Sequence, residues 1–332
     1  MVRLRRSSPD VPGWTRRRAG KGFVYLDQDG GRLSPEDAQR VKDLVIPPAW
    51  RDVWVCPWPN GHLQAVGTDD AGRRQYLYHP DWRTRRDGEK FAKMLVFGKA
   101  LSKAREQVLV DLGAEGMTEE RACAVAVRLL DLGYFRIGNE EYAEENNSFG
   151  LTTLERRHVR RVGQALVFRF TGKSGIEHTI TIDDPGAVEA LEVMRRRRGG
   201  DDRLLAWKDG RRWRPVDSSL VNQYVGRTTG MEATAKDFRT WHATVIAAAT
   251  LAEAGVAPTR TGRKRAVVAT MKAVSEYLGN TPALARSAYV DPRVLDAYEE
   301  GRTIEVATKR SYRTADAKQA ALERAVLKLL KE

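Results

Sequence analysis

Cysteine is almost missing from this chain. Its 332 residues include two, Cys56 and Cys123, far apart and in no metal-ligand spacing. That argues against a disulfide framework and against a structural zinc site, and it fits the reducing cytoplasm. Long apolar runs are missing too, so no stretch is suited to span a bilayer and the chain is not expected to be embedded in a membrane. The first 21 residues are basic but hold no apolar core, which argues against a secretory signal. No cluster of Asp and Glu suited to a two-metal site stands out, which disfavours a divalent-metal nuclease. No cofactor is expected.

What the chain has in excess is positive charge. Lys and Arg number 57 against 44 Asp and Glu, a formal net charge of +13. A balance of that sign favours a polyanionic partner: DNA, RNA or an anionic membrane surface. Hydrophobic residues make up 42%, an ordinary share for a globular chain. The length suffices for two domains, each with its own core.

Residues 1–21, Arg-rich and punctuated by Pro and Gly, read as a flexible basic arm. Residues 22–88 read as a small β-rich domain. Phe23–Leu26 is a strand, Gly30-Gly31 a turn, and Ser34 caps a helix that stops before Pro47-Pro48. Val53–Cys56, His62–Val66 and Gln75–His79 are strand-like runs separated by turn residues. In the third, Tyr76 and Tyr78 share a face and Leu77 points the other way. With Gln75, His79, Arg73 and Arg74 they make an aromatic, basic face able to contact bases and phosphates; a solvated strand beside a basic turn fits as well. Asp81–Gly88 reads as a charged linker and a domain boundary.

Residues 89–332 read as mainly helical. Lys90–Leu112 is amphipathic. Thr118 caps a helix over Glu119–Leu132 that Gly133 ends. Ile137–Gly150 is polar and expected to be partly helical. Leu166–Phe170 and Ile176–Ile182 flank a loop that holds Lys173, a β-hairpin. A helix from Gly186 ends in Arg195–Arg198, either a solvated helix end or a phosphate patch. Thr234 to Asp237 is a capping-box start for a helix over Ala235–Ala254, with Phe238, Trp241, Val245, Ile246 and Ala249 as its buried stripe. Arg239 and His242 lie near its start, where a cation opposes the macrodipole; an anionic partner or a salt bridge would resolve that conflict. Thr259–Arg265 reads as a basic loop, Ala266–Leu278 as a helix, and Ala315–Leu330 as a terminal helix. Thr281-Pro282 and Asp291-Pro292 are two helix starts with Tyr289 between them. Ala285, Ser287 and Ala288 leave its hydroxyl room.

Taken singly, Arg136, Lys173, Arg239, Asn280 and Tyr289 each have a structural reading: a surface cation, a half-buried tyrosine. Together they supply what metal-free phosphoryl transfer requires. Tyr289 offers an oxygen nucleophile. Two guanidiniums can clamp nonbridging oxygens where charge builds up. A lysine can protonate a leaving oxygen, and Asn280 can donate one more hydrogen bond.

Ile46-Pro-Pro-Ala-Trp50, Gly61-His-Leu-Gln-Ala65, Gln75-Tyr-Leu-Tyr-His79, Arg136-Ile-Gly-Asn-Glu-Glu-Tyr142, Asn147-Ser-Phe-Gly-Leu-Thr-Thr153, Thr171-Gly-Lys-Ser-Gly175, Lys236-Asp-Phe-Arg-Thr-Trp241 and the Tyr289 stretch follow one another in an order that resembles type IB DNA topoisomerase, the small bacterial and poxvirus branch. The resemblance implies an α+β protein, a small β-rich domain and a larger mainly helical catalytic domain of the tyrosine recombinase/topoisomerase IB type, closing as a C-shaped clamp on double-stranded DNA. It implies a monomer at the nucleoid that relaxes supercoils of either sign through a 3′-phosphotyrosyl intermediate at Tyr289, without ATP or metal. Arg136 and Arg239 would stabilise the transition state, and Lys173 would be the general acid. Gln75, Tyr76 and Tyr78 fall where the family enters the major groove; Gly138, Asn139 and Tyr142 fall where it contacts DNA. Asn280 departs from the histidine usual in poxvirus and cellular relatives. It keeps a hydrogen-bond donor without a titrating group.

Three rivals remain at this level. A tyrosine recombinase shares the Arg, Lys, Arg and Tyr pattern, but typically has histidine three residues before the second arginine, where this chain has Lys236. A non-catalytic DNA-binding protein would use the basic faces and keep Tyr289 as structure. An RNA-binding module would want aromatic stacking strands that are not evident here.

Overall fold

A computed structural model describes residues 3–133, 135–138, 140 and 147–331. The chain divides into two compact units, Met1–Ala92 and Lys93–Glu332.

The first unit is a five-stranded antiparallel sheet with strand order β2-β1-β3-β4-β5, built from β1 (Trp14–Ala19), β2 (Gly22–Leu26), β3 (Arg51–Val55), β4 (Leu63–Thr68) and β5 (Arg74–Tyr78). Alternation sends β3 side chains to two cores. Val53 and Val55 join Val41, Ile46 and Ala65 on one face, while Trp54 and Cys56 join Leu63 and Val66 on the other. Helix α1 (Pro35–Asp43) brings Val41 to the first core, and Ser34 caps it by accepting from the Asp37 N–H.

Two expectations need correction here. Residues 14–19 are not part of a flexible arm, because they form β1 in the middle of the sheet. One of their arginines serves the fold. Arg16 lies over Phe23 and donates to the carbonyl oxygens of Pro47 at 3.0 Å and Trp50 at 2.5 Å, and Trp14 packs on the core. Asp81–Gly88 is not a linker, because helix α2 runs unbroken over Pro80–Leu112. Pro80 suits a first helical position, and Arg85, Arg86 and Lys90 pair with acidic neighbours three or four residues away, which supports an exposed helix.

In the second unit α3 (Glu119–Gly133) is followed by a three-stranded antiparallel sheet, β6 (Val159–Val162), β7 (Ala165–Thr171) and β8 (Glu177–Ile182). Then come α4 (Pro185–Arg196), the hairpin β9 (Ala206–Asp209) and β10 (Arg212–Pro215), and six further helices: α5 (Ser218–Thr229), α6 (Ala235–Ala254), α7 (Arg260–Leu278), α8 (Pro282–Ala288), α9 (Pro292–Glu299) and α10 (Glu305–Thr308). The described chain closes with α11 (Ala315–Leu329).

Helix α6 is the axis of this unit. It packs against α3, α5, α7, α9, α10 and α11. Its buried surface is wider than a single apolar stripe: Arg239, Thr240, His242 and Thr244 are buried along with Phe238, Trp241 and Val245. A helix enclosed on all sides must satisfy its polar groups internally. Gly98 on α2 makes room for its largest side chain, since a Cβ there would come within 2.5 Å of the Trp241 ring.

The stretch Thr259–Arg265 is also corrected. Thr259 caps α7 by accepting from the Gly262 N–H, so the helix starts at Arg260. The run Arg195–Arg198 is divided in its roles. Arg195 and Arg196 pair with Glu192, and Arg197 is buried, donating to the carbonyl oxygens of Met194 and Leu204. Half of the Ile137–Gly150 stretch, expected to be partly helical, lies outside the described residues.

Candidate active site

Arg136 follows α3 and is fixed through its backbone. The Leu151 N–H donates to the Arg136 carbonyl at 2.8 Å, and the Thr152 N–H and hydroxyl donate to the Ile137 carbonyl at 2.8 and 2.9 Å. The two segments approach so closely that a Cβ on Gly150 would lie 2.4 Å from the Gly138 Cα. Gly138 has φ of 98°, a conformation that suits glycine. Gly138, expected among the DNA-contacting residues, therefore has a packing role of its own: it lets the chain hold Arg136 in place.

Helix α7 ends at a left-handed Gly279, the usual helix stop. Its last carbonyl oxygens gather the two arginines. Arg136 Nη2 donates to Leu278 O at 3.2 Å and Gly279 O at 2.9 Å, and Arg239 Nη2 donates to Leu278 O at 2.6 Å. The negative end of a helix dipole offsets the repulsion between two cations brought this close. Arg239 is 9% exposed. Burial pushes its guanidinium down from the ordinary range to about 10, Arg136 acts in the same direction, and Tyr289 and Tyr277 pull it back.

Tyr289 sits half-buried at the C-cap of α8, with Arg239 Cζ 5.9 Å from its ring centre. Its N–H donates to Ala285 O at 3.1 Å, and its carbonyl accepts from Thr244 Oγ1 at 3.3 Å. Thr244 lies five residues beyond Arg239 on α6, so one rigid helix positions both the buried arginine and the backbone of the tyrosine. Asn280 follows the α7 cap, and its N–H donates to Ser275 O at 3.0 Å. Its side-chain Oδ1 and Nδ2 are both buried, and neither has a hydrogen-bond partner among the described residues.

A cavity of about 120 Å³ opens beside the arginines, walled by Phe135, Arg136, Gly172, His178, Arg239 and Tyr277. Lys173 is the next residue after Gly172, on a 3-10 turn at the tip of the β7–β8 hairpin, and is exposed. The structure thus gathers Arg136, Arg239, Asn280 and Tyr289 around the end of α7, and sets Lys173 one residue beyond the cavity wall.

His178 escaped the sequence reading. Its ring stacks on Phe170 at 5.2 Å. Burial, then the charges of Arg136 and Arg239, push its pKa below the ordinary value, so it is held neutral beside two cations. The signal was present in β8, where a histidine takes a turn in the inward series with Ile180 and Ile182.

In the first unit, β5 presents Tyr76 and Tyr78 outward, 45% and 37% exposed, with rings stacked 6.3 Å apart. Leu77 packs on the core, as the alternation requires. Arg74 is exposed. Gln75 is half-buried and Arg73 exposed, and both are tied to the turn: Asp69 Oδ2 accepts from Gln75 Nε2 at 2.9 Å and from Arg73 Nε at 3.0 Å, which braces the Asp69–Arg73 turn. Asn139 and Tyr142 lie outside the described residues. No helix among the described residues is long and apolar enough to cross a membrane.

The family model for the catalytic core of eukaryotic DNA topoisomerase I matches residues 79–317. The model for the N-terminal domain of bacterial DNA topoisomerase IB matches residues 22–69. DNA topoisomerase 1B of Acanthamoeba polyphaga mimivirus is 29% identical over 298 residues, covering 87% of this chain and 88% of that protein. DNA topoisomerase 1B of vaccinia virus strain Copenhagen is 20% identical over 249 residues, 74% of this chain and 76% of that one. DNA topoisomerase 1 of Mycosarcoma maydis is 23% identical over 264 residues, 73% of this chain but 25% of that longer protein. With a catalytic-core match over most of its length and a matching N-terminal domain ahead of it, the chain belongs to the type IB DNA topoisomerase family.

Proposed function

We propose that this protein relaxes supercoiled double-stranded DNA, acting as a monomer, by cutting and resealing one strand through Tyr289. The observation that carries the reading is the shared Leu278 carbonyl. It holds the guanidiniums of Arg136 and Arg239 together, with the Tyr289 ring 5.9 Å from the Arg239 Cζ. Two fixed cations beside a phenol are suited to a phosphodiester whose nonbridging oxygens gain charge during attack.

In the forward step Tyr289 Oη forms a bond to phosphorus and gives its proton to solvent. The bond from phosphorus to the 5′-oxygen breaks, and that oxygen takes a proton from Lys173. The product is a 3′-phosphotyrosyl link and a 5′-hydroxyl. One phosphodiester has replaced another, so the bond energy is retained and resealing needs no ATP. Rotation of the cut strand about the intact one between the two steps releases supercoils of either sign. Asn280 donates a hydrogen bond to a phosphoryl oxygen. Arg74, Tyr76 and Tyr78 of the first unit meet the duplex.

The test is relaxation of negatively supercoiled plasmid in EDTA without ATP by the native protein and by Tyr289→Phe. The expected result is relaxation by the native protein alone, with a covalent DNA complex trapped by detergent. Relaxation by both would remove Tyr289 from the role of nucleophile. Relaxation by neither, with DNA still shifted in a gel, would make the protein a binding module.

A further inference from the structure

A second, larger cavity of about 570 Å³ lies in the catalytic unit, walled by α2, α3, α6, α7 and α11. Along its wall runs a chain of buried polar groups that the proposed reaction does not use. Glu323 on α11 accepts from Arg105 on α2, with Nη1 to Oε2 at 2.6 Å and Nη2 to Oε1 at 2.9 Å. The same guanidinium donates to Asp131 on α3, at 2.7 Å from Nε and 2.9 Å from Nη2. Asp131 Oδ1 lies 3.1 Å from His242 Nε2 on α6. His242 Nδ1 lies 3.4 Å from the hydroxyl of Tyr277, in the last turn of α7. Glu323 and His242 are 4% and 3% exposed.

The direction of these bonds follows from the carboxylate. Burial alone would raise the Asp131 carboxyl, but hydrogen bonds from Arg105 and His242 outweigh it and hold it well below the ordinary range. An ionised carboxylate only accepts, so the hydrogen of the 3.1 Å contact sits on His242 Nε2. The other ring nitrogen, Nδ1, faces the Tyr277 hydroxyl at 3.4 Å. Tyr277 also walls the smaller cavity beside Arg136 and Arg239. The next residue is Leu278, whose carbonyl receives both guanidiniums.

We infer that His242 and Tyr277 are positioning residues for the arginine pair. The chain Glu323–Arg105–Asp131–His242–Tyr277 fixes the last turn of α7, and Leu278 O transmits that fixed position to Arg136 and Arg239. The terminal helix α11, which carries none of the reacting groups, is thereby part of what sets the geometry of cleavage. This inference rests on the reading of the two arginines as the clamp on the phosphoryl group.

The test uses the full chain and four variants: Tyr277→Phe, His242→Ala, the double variant and Arg239→Ala. For each, single-turnover cleavage at saturating DNA, equilibrium DNA affinity and thermal melting are measured. Displacing a catalytic clamp from a distance costs between ~10- and ~100-fold in rate. The expected result is that loss in cleavage for Tyr277→Phe and His242→Ala, with DNA affinity within about twofold, because both substitutions leave the charges of Arg136 and Arg239 in place for the ground-state complex. The double variant is expected to be no slower than the slower single one, since one break already severs the chain. A merely structural role would lower melting temperature, leave the cleavage rate of the folded protein alone, and add across the two sites. Tyr277→Phe removes one oxygen, so it keeps the test valid if His242→Ala fails to fold. A folded Tyr277→Phe that cleaves at the native rate, beside a slow Arg239→Ala, overturns the inference. If Arg239→Ala also cleaves at the native rate, it is the clamp reading that has failed.

Discussion

Replacing Asn280 with leucine is expected to make this protein more stable and less active at once. Both polar atoms of the Asn280 side chain are buried without a hydrogen-bond partner among the described residues. Each such group costs about 1–3 kcal/mol in the resting protein. Leucine puts two methyl groups where the oxygen and nitrogen stood, so the shape is kept and the desolvation cost is removed. Taking the low end for both atoms gives about 2 kcal/mol. A domain of this size gains about 2–4 °C in Tm per kcal/mol, so the expected rise is about 4–8 °C. Cleavage should move the other way. Loss of one donor to a phosphoryl oxygen costs on the order of 100-fold or more when the donor is preorganised. Melting of the DNA-free protein and single-turnover cleavage of a short duplex give the two numbers. A leucine variant that melts below the native protein would refute the idea that the amide is held at a cost. One that cleaves at the native rate would place Asn280 outside the site. Asn280→His keeps a donor and should stay active, whereas Asn280→Ala should be slow.

Lys173→Ala should slow cleavage of an ordinary phosphodiester by ~100-fold or more, and the loss should largely vanish on a substrate whose 5′-bridging oxygen is sulfur, because a thiolate leaves without a proton; an equal loss on both substrates would deny Lys173 the role of acid. Asp131→Asn keeps one acceptor oxygen but removes the negative charge that faces Arg105 and His242, and should cost about 1–3 kcal/mol at neutral pH. Because folding lowers the Asp131 pKa, its contribution is complete above the ordinary carboxyl range near ~4 and fades as pH falls below it. Denaturant melts at pH 7 and pH 3.5 should therefore show a shrinking penalty, and a constant one would contradict the assignment. Tyr76→Ala with Tyr78→Ala should weaken DNA binding while leaving Tm nearly unchanged, since both rings are exposed; a large fall in Tm would instead make them part of the fold.

Helix ends were the most legible feature of the sequence. Ser34, Thr234, Thr281 and Asp291 cap helices where a short polar side chain precedes a helical run, and Gly279 stops one in the left-handed conformation. These signals are local, so one sequence carries them. What misled was charge. The arginines of β1, the Asp81–Gly88 run and Arg260–Arg265 read as solvated loops, yet arginine has a long apolar stem and five donors that can serve carbonyl oxygens far away in sequence. Arg16 bonding to Pro47 and Trp50 is such a case. The hairpin β9–β10 was hidden among similar charges, although Asp209-Gly210 is a turn signal. At the site, the sequence named the groups but not what holds them. The shared Leu278 carbonyl belongs to the backbone, and the approach of Gly150 to Gly138 depends on tertiary packing; neither leaves a mark in residue type beyond the two glycines.

The place of β5 at the end of its sheet bears on how the protein behaves when DNA is absent. A terminal strand offers its open backbone to any other chain and is a common start for aggregation. This one is five residues long, carries an exposed Arg74, and runs through His79 into Pro80, which has no N–H to offer. Shortness, charge and proline are the means by which natural sheets refuse unwanted partners. The guanidinium proposed above to meet phosphate would therefore also guard solubility. A variant such as Arg74→Ala judged by DNA affinity alone would confuse a lost contact with self-association, and light scattering on the DNA-free protein separates the two.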